Sequence, residues 1–237
     1  MPCPSSLVPA AVGVVLPAGG SGQRLGGEAK QFRLLGDAPV LVQTLRAFVR
    51  HPEVGPIVVA VPAGHVEATR ALVAGFGVEA LVVAGGATRQ ASVAAGVAAL
   101  PAGVEAVLVH DAVRPFVSQA LISRVAAAVR AHGAAAAAVP VSDTLRAASG
   151  ARFGATVDRD GLWAMQTPQG ATRALFARAY AVAGDEAPTD EAGLLGLAGV
   201  AVRVVEGDAR NAKVTTPTDW ALAEALWPAW AAGEYGA

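Results

Sequence analysis

The sequence predicts an α/β protein built on a doubly wound, mostly parallel sheet of the Rossmann-like kind. Two observations lead there: short β-branched runs recur along the chain, and a segment of helical length follows each of them. Such alternation is how crossover helices join successive parallel strands and cover both faces of the sheet. A third is size, since 237 residues with 54% hydrophobic content can bury one large core. We read a single domain over residues 12–237 behind an N-terminal tail at 1–11.

The first strand is the apolar run at 12–16, and the glycine-rich segment PAGGSGQRLGGEAKQ follows it directly. A helix is expected at 40–51, a strand at 57–61, a helix at 66–75, a strand at 80–83, a helix at 90–100, a strand at 106–110 and a helix at 119–132. The alanine run at 134–138 is two-sided, because alanine favours helix while Gly133 and Pro140 bracket a strand-sized piece; we read a buried strand. Residues 142–159 hold glycines and charges with little apolar periodicity, the mark of an arm projecting from the core or of a plain surface loop. Helices are expected at 173–183, 191–197 and 218–227, with Thr216-Pro217 starting the last.

Net charge is −1, aromatic residues make up 5%, and the basic positions are scattered, so neither a nucleic-acid groove nor a basic membrane surface is expected. Cys3 is the sole cysteine, which excludes an internal disulfide and a cysteine-rich metal site. Charges, glycines and prolines interrupt the apolar stretches, and the N-terminus lacks a basic region before a long apolar core. A soluble cytoplasmic protein is expected.

Lys30 and Lys213 are the only lysines, against sixteen arginines. Retained lysines suit places where a compact ammonium makes a point contact to phosphate, so the two read as two ends of one site. Between Pro17 and Lys30, glycines 19, 20 and 22 let the backbone turn sharply and present N–H groups to an anion or a flat base; an ordinary strand-to-helix turn is the alternative. From Gly20 a G-x-G-x-x-G match fails at Leu25, and Glu28 follows Gly27 where a P-loop needs lysine. Arg24 and Lys30 flank the loop with positive charge suited to a triphosphate.

In an open parallel sheet, ligands gather beyond the carboxyl ends of the strands. There stand Gly85-Gly86-Ala-Thr-Arg89-Gln-Ala-Ser92, whose turn can bring backbone groups and Ser92 against a base edge, and His110-Asp111-Ala-Val-Arg114. Asp111 either holds Mg²⁺, which takes one or two carboxylates beside phosphate oxygens, or pairs with Arg114 to cap the turn. His110 reads as a packed strand-end residue. Asp143-Thr144, Thr156 to Arg159, Thr167-Pro-Gln169, Thr189-Asp190-Glu191 and Asn211-Ala-Lys213 place hydroxyls and charges in loops. Of these, Thr189-Asp190-Glu191 is most simply a helix N-cap and acidic first turn, and Asn211 an Asx turn. Arg24, Lys30, Arg159 and Lys213, brought together, would fit a reaction between two phosphate-bearing molecules.

Taken in order, PAGGSGQRLG with AKQF, GGATRQASV, VLVHDAVRPF, PVSDTL, TVDRDGLWAMQTPQ, TDEA and NAKVT closely resemble the 2-C-methyl-D-erythritol 4-phosphate cytidylyltransferases. The resemblance implies a nucleotidyltransferase fold, a homodimer joined through an arm at 142–159, and Mg²⁺-assisted transfer of CMP from CTP to a polyol phosphate. By the same resemblance Arg24 and Lys30 are transition-state stabilisers, and Arg159 and Lys213 position the sugar-alcohol phosphate. Pro17, Ala18, Gly19, Gly20, Gly22, Gly86 and Ser92 match nucleotide-binding positions. Asp111 matches the metal-associated carboxylate, and Asp111, Arg114, Thr144 and Thr167 match substrate contacts. This sequence departs from the family's pattern in a loop one residue shorter before Lys30 and in Ala29 where proline is usual. Cytidylyl transfer to ribitol 5-phosphate or another polyol phosphate shares nearly all these motifs; a non-catalytic nucleotide-binding protein is the alternative of another class.

Overall fold

In the computed structural model, which describes residues 11–20, 30–184, 186 and 188–234, the chain opens with strand β1 (Val12–Pro17). A short hairpin of β2 (Leu34–Leu35) and β3 (Ala38–Pro39) leads into helix α1 (Val40–Val49). Then β4 (Val54–Val61), α2 (Val66–Gly75), β5 (Leu81–Ala84), α3 (Arg89–Ala99), β6 (Ala106–Val109) and α4 (Gln119–His132) alternate. After β7 (Ala134–Pro140) come a second hairpin of β8 (Leu145–Ser149) and β9 (Arg152–Val157), then β10 (Trp163–Thr172), α5 (Arg173–Ala183), α6 (Glu191–Leu197), β11 (Arg203–Glu206) and α7 (Pro217–Ala231).

The central sheet has seven strands in the order β11-β7-β10-β6-β1-β4-β5, and β10 alone runs antiparallel to its neighbours. From β1 the chain builds outward through β4 to β5, then crosses back over α3 to place β6 on the other side of β1. Strand order therefore reverses at β1, and the crevice of the sheet opens between β1 and β6.

Side-chain alternation along β1 sorts the core into two layers. Val12, Val14 and Leu16 join Leu41, Leu45 and Phe48 of α1 and Leu121, Ile122 and Val125 of α4 on one face. Val15 joins Val93 and Val97 of α3, Phe176 of α5 and Leu194 of α6 on the other. At Gly96 a Cβ would stand 2.4 Å from Val15 Cγ1, so only glycine lets α3 lie this close to β1. A third cluster sets Trp220 and Trp230 of α7 against Val113, Phe116 and Val214, behind the loop that follows β6.

The expected mostly parallel sheet is present, and the expected strands and helices are formed within a few residues of their predicted ends. The alanine run is the strand β7, buried from Ala134 to Ala138. Helix α7 runs on through Pro228 instead of stopping at Trp227, because Trp230 beyond the proline is buried edge-on against Phe116 at 5.4 Å. Thr216 caps it, its hydroxyl accepting from the Asp219 N–H while the Asp219 carboxylate accepts from the Thr216 N–H. Strand β10 is not among the expected strands: Thr167 and Gln169, expected in a loop, lie inside it, and Thr156 lies in β9. The β8–β9 hairpin leaves the sheet between β7 and β10, with Phe153 82% exposed. Among the described residues no helix is long and apolar enough to cross a membrane.

Candidate active site

At the crevice, the carboxyl ends of four neighbouring strands enclose a cleft of about 260 Å³. Pro17 ends β1 and Ala18 to Gly20 follow it, Pro62 follows β4, Gly86 to Arg89 follow β5, and Asp111 to Val113 follow β6; Lys30, Gln31, Ser92 and Lys213 complete the lining. The loop after β1 is held at its root. Ala18 N–H donates to the Ala60 carbonyl at 2.8 Å, and buried Gln31 donates through Nε2 to the Ala18 carbonyl at 2.9 Å. On the opposite wall, Thr88 caps α3 and Ser92 Oγ donates to the Thr88 carbonyl at 2.9 Å. A Cβ on Gly86 would stand 2.4 Å from Ala91 Cβ, so this turn closes onto α3 only with glycine. A helix N-terminus facing a cleft favours an anion there.

Asp111 is the electrostatic centre. Its Oδ2 pairs with Arg114 Nε and Lys213 Nζ, each at 3.1 Å, and its Oδ1 with Arg89 Nη2 at 3.4 Å. Burial pushes the carboxyl toward protonation, but Lys213, Arg114 and Arg89 outweigh it and hold Asp111 well below the usual carboxylate range. The expected Asp111–Arg114 pair is therefore one of three.

His110 is wholly buried, and its bonding fixes its tautomer. A carbonyl can only accept, so Nε2–H donates to the Arg114 carbonyl at 3.0 Å, and neutral Nδ1 is left to accept from Thr167 Oγ1 at 3.0 Å. Thr167 Oγ1 in turn accepts the Asp111 N–H at 3.0 Å. Burial lowers the His110 pKa to about 4, so the ring is neutral at physiological pH and occupied on both nitrogens. It is the packed strand-end residue expected from sequence.

The register of β10 against β7 shifts between Met165 and Gln169, and that irregularity turns Thr167 toward His110 and Asp111. Asn211, read as an Asx turn, is wholly buried and instead donates through Nδ2 to the Thr167 carbonyl at 2.7 Å. Arg114 Nη1 reaches the Asn211 carbonyl at 2.8 Å, and Val214 N–H the Val113 carbonyl at 2.9 Å. Lys213 is thus carried on a segment pinned on both sides. Beside the first cleft, and sharing Arg89, Asp111 and Lys213 with it, lies a second pocket of about 180 Å³ whose walls include Arg114, Gln166, Thr167, Gln169, Thr189 and Asp190.

Asp190 caps α6 as expected, accepting from the Gly193 N–H. Glu191, read as a plain acidic first turn, is only 2% exposed and receives Arg89 in a fork at 2.6 and 2.9 Å.

Pro17, Ala18, Gly19, Gly20, Lys30, Gly86, Ser92, Asp111 and Lys213 therefore line one cleft, and Arg114 and Thr167 join Asp111 and Lys213 at the adjoining pocket. Thr144 and Arg159 lie exposed at the arm and line neither. Arg24 and Gly22 fall outside the described residues. Sequence reasoning named none of Gln31, Arg89, Gln166 and Glu191 as a site residue, although each lies in or beside a motif-bearing segment (AKQF, GGATRQASV, AMQTPQ, TDEA).

No group of three or more His, Cys, Asp or Glu side chains suited to a metal occurs among the described residues. Three cations against the carboxylates of Asp111 and Glu191 leave the cluster net positive. Mg²⁺ would fit here only with Asp111 as its one carboxylate ligand, through the Oδ1 that carries the longest of the three contacts, and with phosphate oxygens supplying other positions.

The family model described as 2-C-methyl-D-erythritol 4-phosphate cytidylyltransferase, IspD, matches residues 12–228. A protein of that name from Salinibacter ruber is 52% identical over 221 residues, spanning 92% of this chain and 93% of its own. Another from Deinococcus radiodurans is 48% identical over 214 residues, spanning 90% and 88%. The crystal structure of the Thermus thermophilus enzyme of that name superposes with a TM-score of 0.79 at 39% identity, covering 92% of this chain and 99% of that one.

Proposed function

The chain belongs to the 2-C-methyl-D-erythritol 4-phosphate cytidylyltransferase family, and on that premise we propose how its residues divide the work. The reaction transfers CMP from CTP to 2-C-methyl-D-erythritol 4-phosphate, giving 4-diphosphocytidyl-2-C-methyl-D-erythritol and pyrophosphate, a step of isoprenoid precursor biosynthesis. The observation that carries the assignment is the convergence of both lysines, with the β1 loop and the Gly86 turn, on one cleft.

A phosphate oxygen of the acceptor attacks the α-phosphorus of CTP in line; the new O–P bond forms as the bond to the β-phosphate bridging oxygen breaks and pyrophosphate leaves. With its second pKa near ~6, the acceptor phosphate is already largely dianionic at neutral pH. No general base is required, in keeping with a His110 committed to internal hydrogen bonds. The chain has to align two anions and neutralise the charge that moves onto the leaving oxygens.

In our reading Lys30 and Arg24 act on the triphosphate, while Lys213, beside Arg114 at the junction of the two pockets, holds the incoming phosphate. Ala18, Gly19, Gly86 and Ser92 present the cytosine-reading surface, where a mismatched base edge would leave buried polar groups unpaired. Mg²⁺, when bound, neutralises triphosphate charge, and Asp111 is the residue that would hold it. Thr144 and Arg159 reach an acceptor from the arm of the partner subunit in a homodimer, a reading supported by their exposure outside the lining of both pockets in one protomer and by the exposed apolar Phe153 and Val157.

Pyrophosphate release from CTP, measured with 2-C-methyl-D-erythritol 4-phosphate, ribitol 5-phosphate and other polyol phosphates, with and without Mg²⁺, tests the whole. Turnover is expected with the first acceptor and Mg²⁺. Preference for ribitol 5-phosphate would replace the acceptor, and no release with any of them would remove the enzymatic reading.

A further inference from the structure

Glu191 poses a problem that the roles above do not answer. It is 2% exposed, and a carboxylate removed from water is strongly unfavourable unless paired and hydrogen-bonded. Burial raises its pKa, opposed first by the Arg89 charge and then by the bonds from Arg89. Its partner stands 102 positions away, at the first turn of α3, and the two form a bidentate pair of 2.6 and 2.9 Å that ties α3 to α6. Arg89 lines both the nucleotide cleft and the second pocket, and its Nη2 extends to Asp111 Oδ1 at 3.4 Å.

The contacts form a chain of alternating charge: Glu191, Arg89, Asp111, Lys213. The first link is short and forked, whereas the second is the longest of the Asp111 contacts. This asymmetry has a consequence for Lys213. With Arg89 drawn onto Glu191, Asp111 keeps its Oδ2 for Arg114 and Lys213. Were Glu191 uncharged, the Arg89 guanidinium would have Asp111 as its strongest neighbouring carboxylate and would compete with Lys213 for it.

We propose that Glu191 is a positioning residue which, by fixing Arg89, leaves Asp111 free to place Lys213 at the junction of the two pockets. The reaction proposed above supplies the kinetic readout, and the two-lysine composition supplies one that does not depend on it. Lysine labelled with ¹³C at Cε gives signals from two residues only, assignable with Lys30→Arg.

In Glu191→Gln, the Lys213 signal is expected to move while that of Lys30 stays. CTP affinity, read by equilibrium binding, should stay within about threefold, while kcat/KM for the acceptor falls by about tenfold or more, the scale of a displaced positioning group. Arg89→Lys, which keeps the charge and loses the fork, should reproduce the pattern, the third lysine signal that it adds being told from that of Lys213 by the Arg89→Lys, Lys213→Ala double variant. In a Lys213→Ala background, Glu191→Gln should add little, because the two act through one group. Thermal unfolding checks that each variant is folded; if Glu191→Gln is not, Arg89→Lys decides the matter alone. An unmoved Lys213 signal, or full additivity with Lys213→Ala, overturns the proposal. Absence of wild-type turnover on any polyol phosphate would instead overturn the proposed reaction, with the lysine signals still reporting on Glu191.

Discussion

Acidification should weaken the fold through His110, by an amount set by its burial. In the folded chain the ring is neutral, donating to the Arg114 carbonyl and accepting from Thr167, with its pKa lowered from 6.5 to about 4. In the unfolded chain it titrates near ~6.5. Between those values the unfolded state binds a proton that the folded state refuses, so stability rises with pH across the window. The contribution is complete above the unfolded value and is lost as pH falls from 6.5 toward 4, at about 1.4 kcal/mol per unit, or about 3 kcal/mol in all. Urea unfolding of the wild type and of His110→Gln at steps from pH 7.5 to 4.5 isolates this term. His51, whose pKa burial also lowers, is present in both proteins and cancels in the difference. The stability gap between the two should shrink steadily below pH 6.5. A constant gap would show that His110 is not held neutral, and the tautomer argued from its bonds to Arg114 and Thr167 would fall with it.

Lys30→Ala and Arg24→Ala should each lower kcat by on the order of 10² or more, as loss of one preorganised donor does; unchanged turnover in both removes them from the triphosphate site. Lys213→Ala and Arg159→Ala should impair kcat/KM for the acceptor phosphate while CTP binding is largely kept, and steady-state kinetics against each substrate separate the two effects. Gly86→Ala drives a methyl to 2.4 Å from Ala91 Cβ and should weaken CTP binding at least severalfold with the central sheet intact, as far-UV circular dichroism alongside nucleotide titration would register. Thr216→Ala should cost about 1 kcal/mol in urea unfolding through loss of the α7 capping box.

Most of the sheet could be read in the sequence because β1, β4 and β6 are apolar runs of strand length, and buried parallel strands have that composition. Strand β10 escaped for a physical reason. Its sequence WAMQTPQGAT sets Pro168 among the polar side chains of Gln166, Thr167 and Gln169, which a central strand seldom tolerates, and the irregular register around the proline is what accommodates them. Strand β11 is four residues long with a charge at each end, too short for a period to register. At the site, Lys30, Asp111 and Lys213 stood out through rarity and through their place after strands. The Arg89–Glu191 pair did not, since nothing local distinguishes a buried acidic first turn from a solvated one; Glu191 is buried through tertiary packing, with α6 set against α5, β10 and β7 and Arg89 laid on its carboxylate. Thr144 and Arg159 were named through the family resemblance, and in one protomer they line neither pocket.

Helix α7 has a bearing on how the molecule comes into being. Trp220 and Trp230 press on Val113 and Phe116, which flank Arg114, and on Val214, which adjoins Lys213. In order of synthesis all seven strands of the sheet precede the helix that buttresses the loops bearing Arg114 and Lys213. A chain released before Pro217 would carry every strand of the sheet yet leave those two loops without the tryptophans packed behind them.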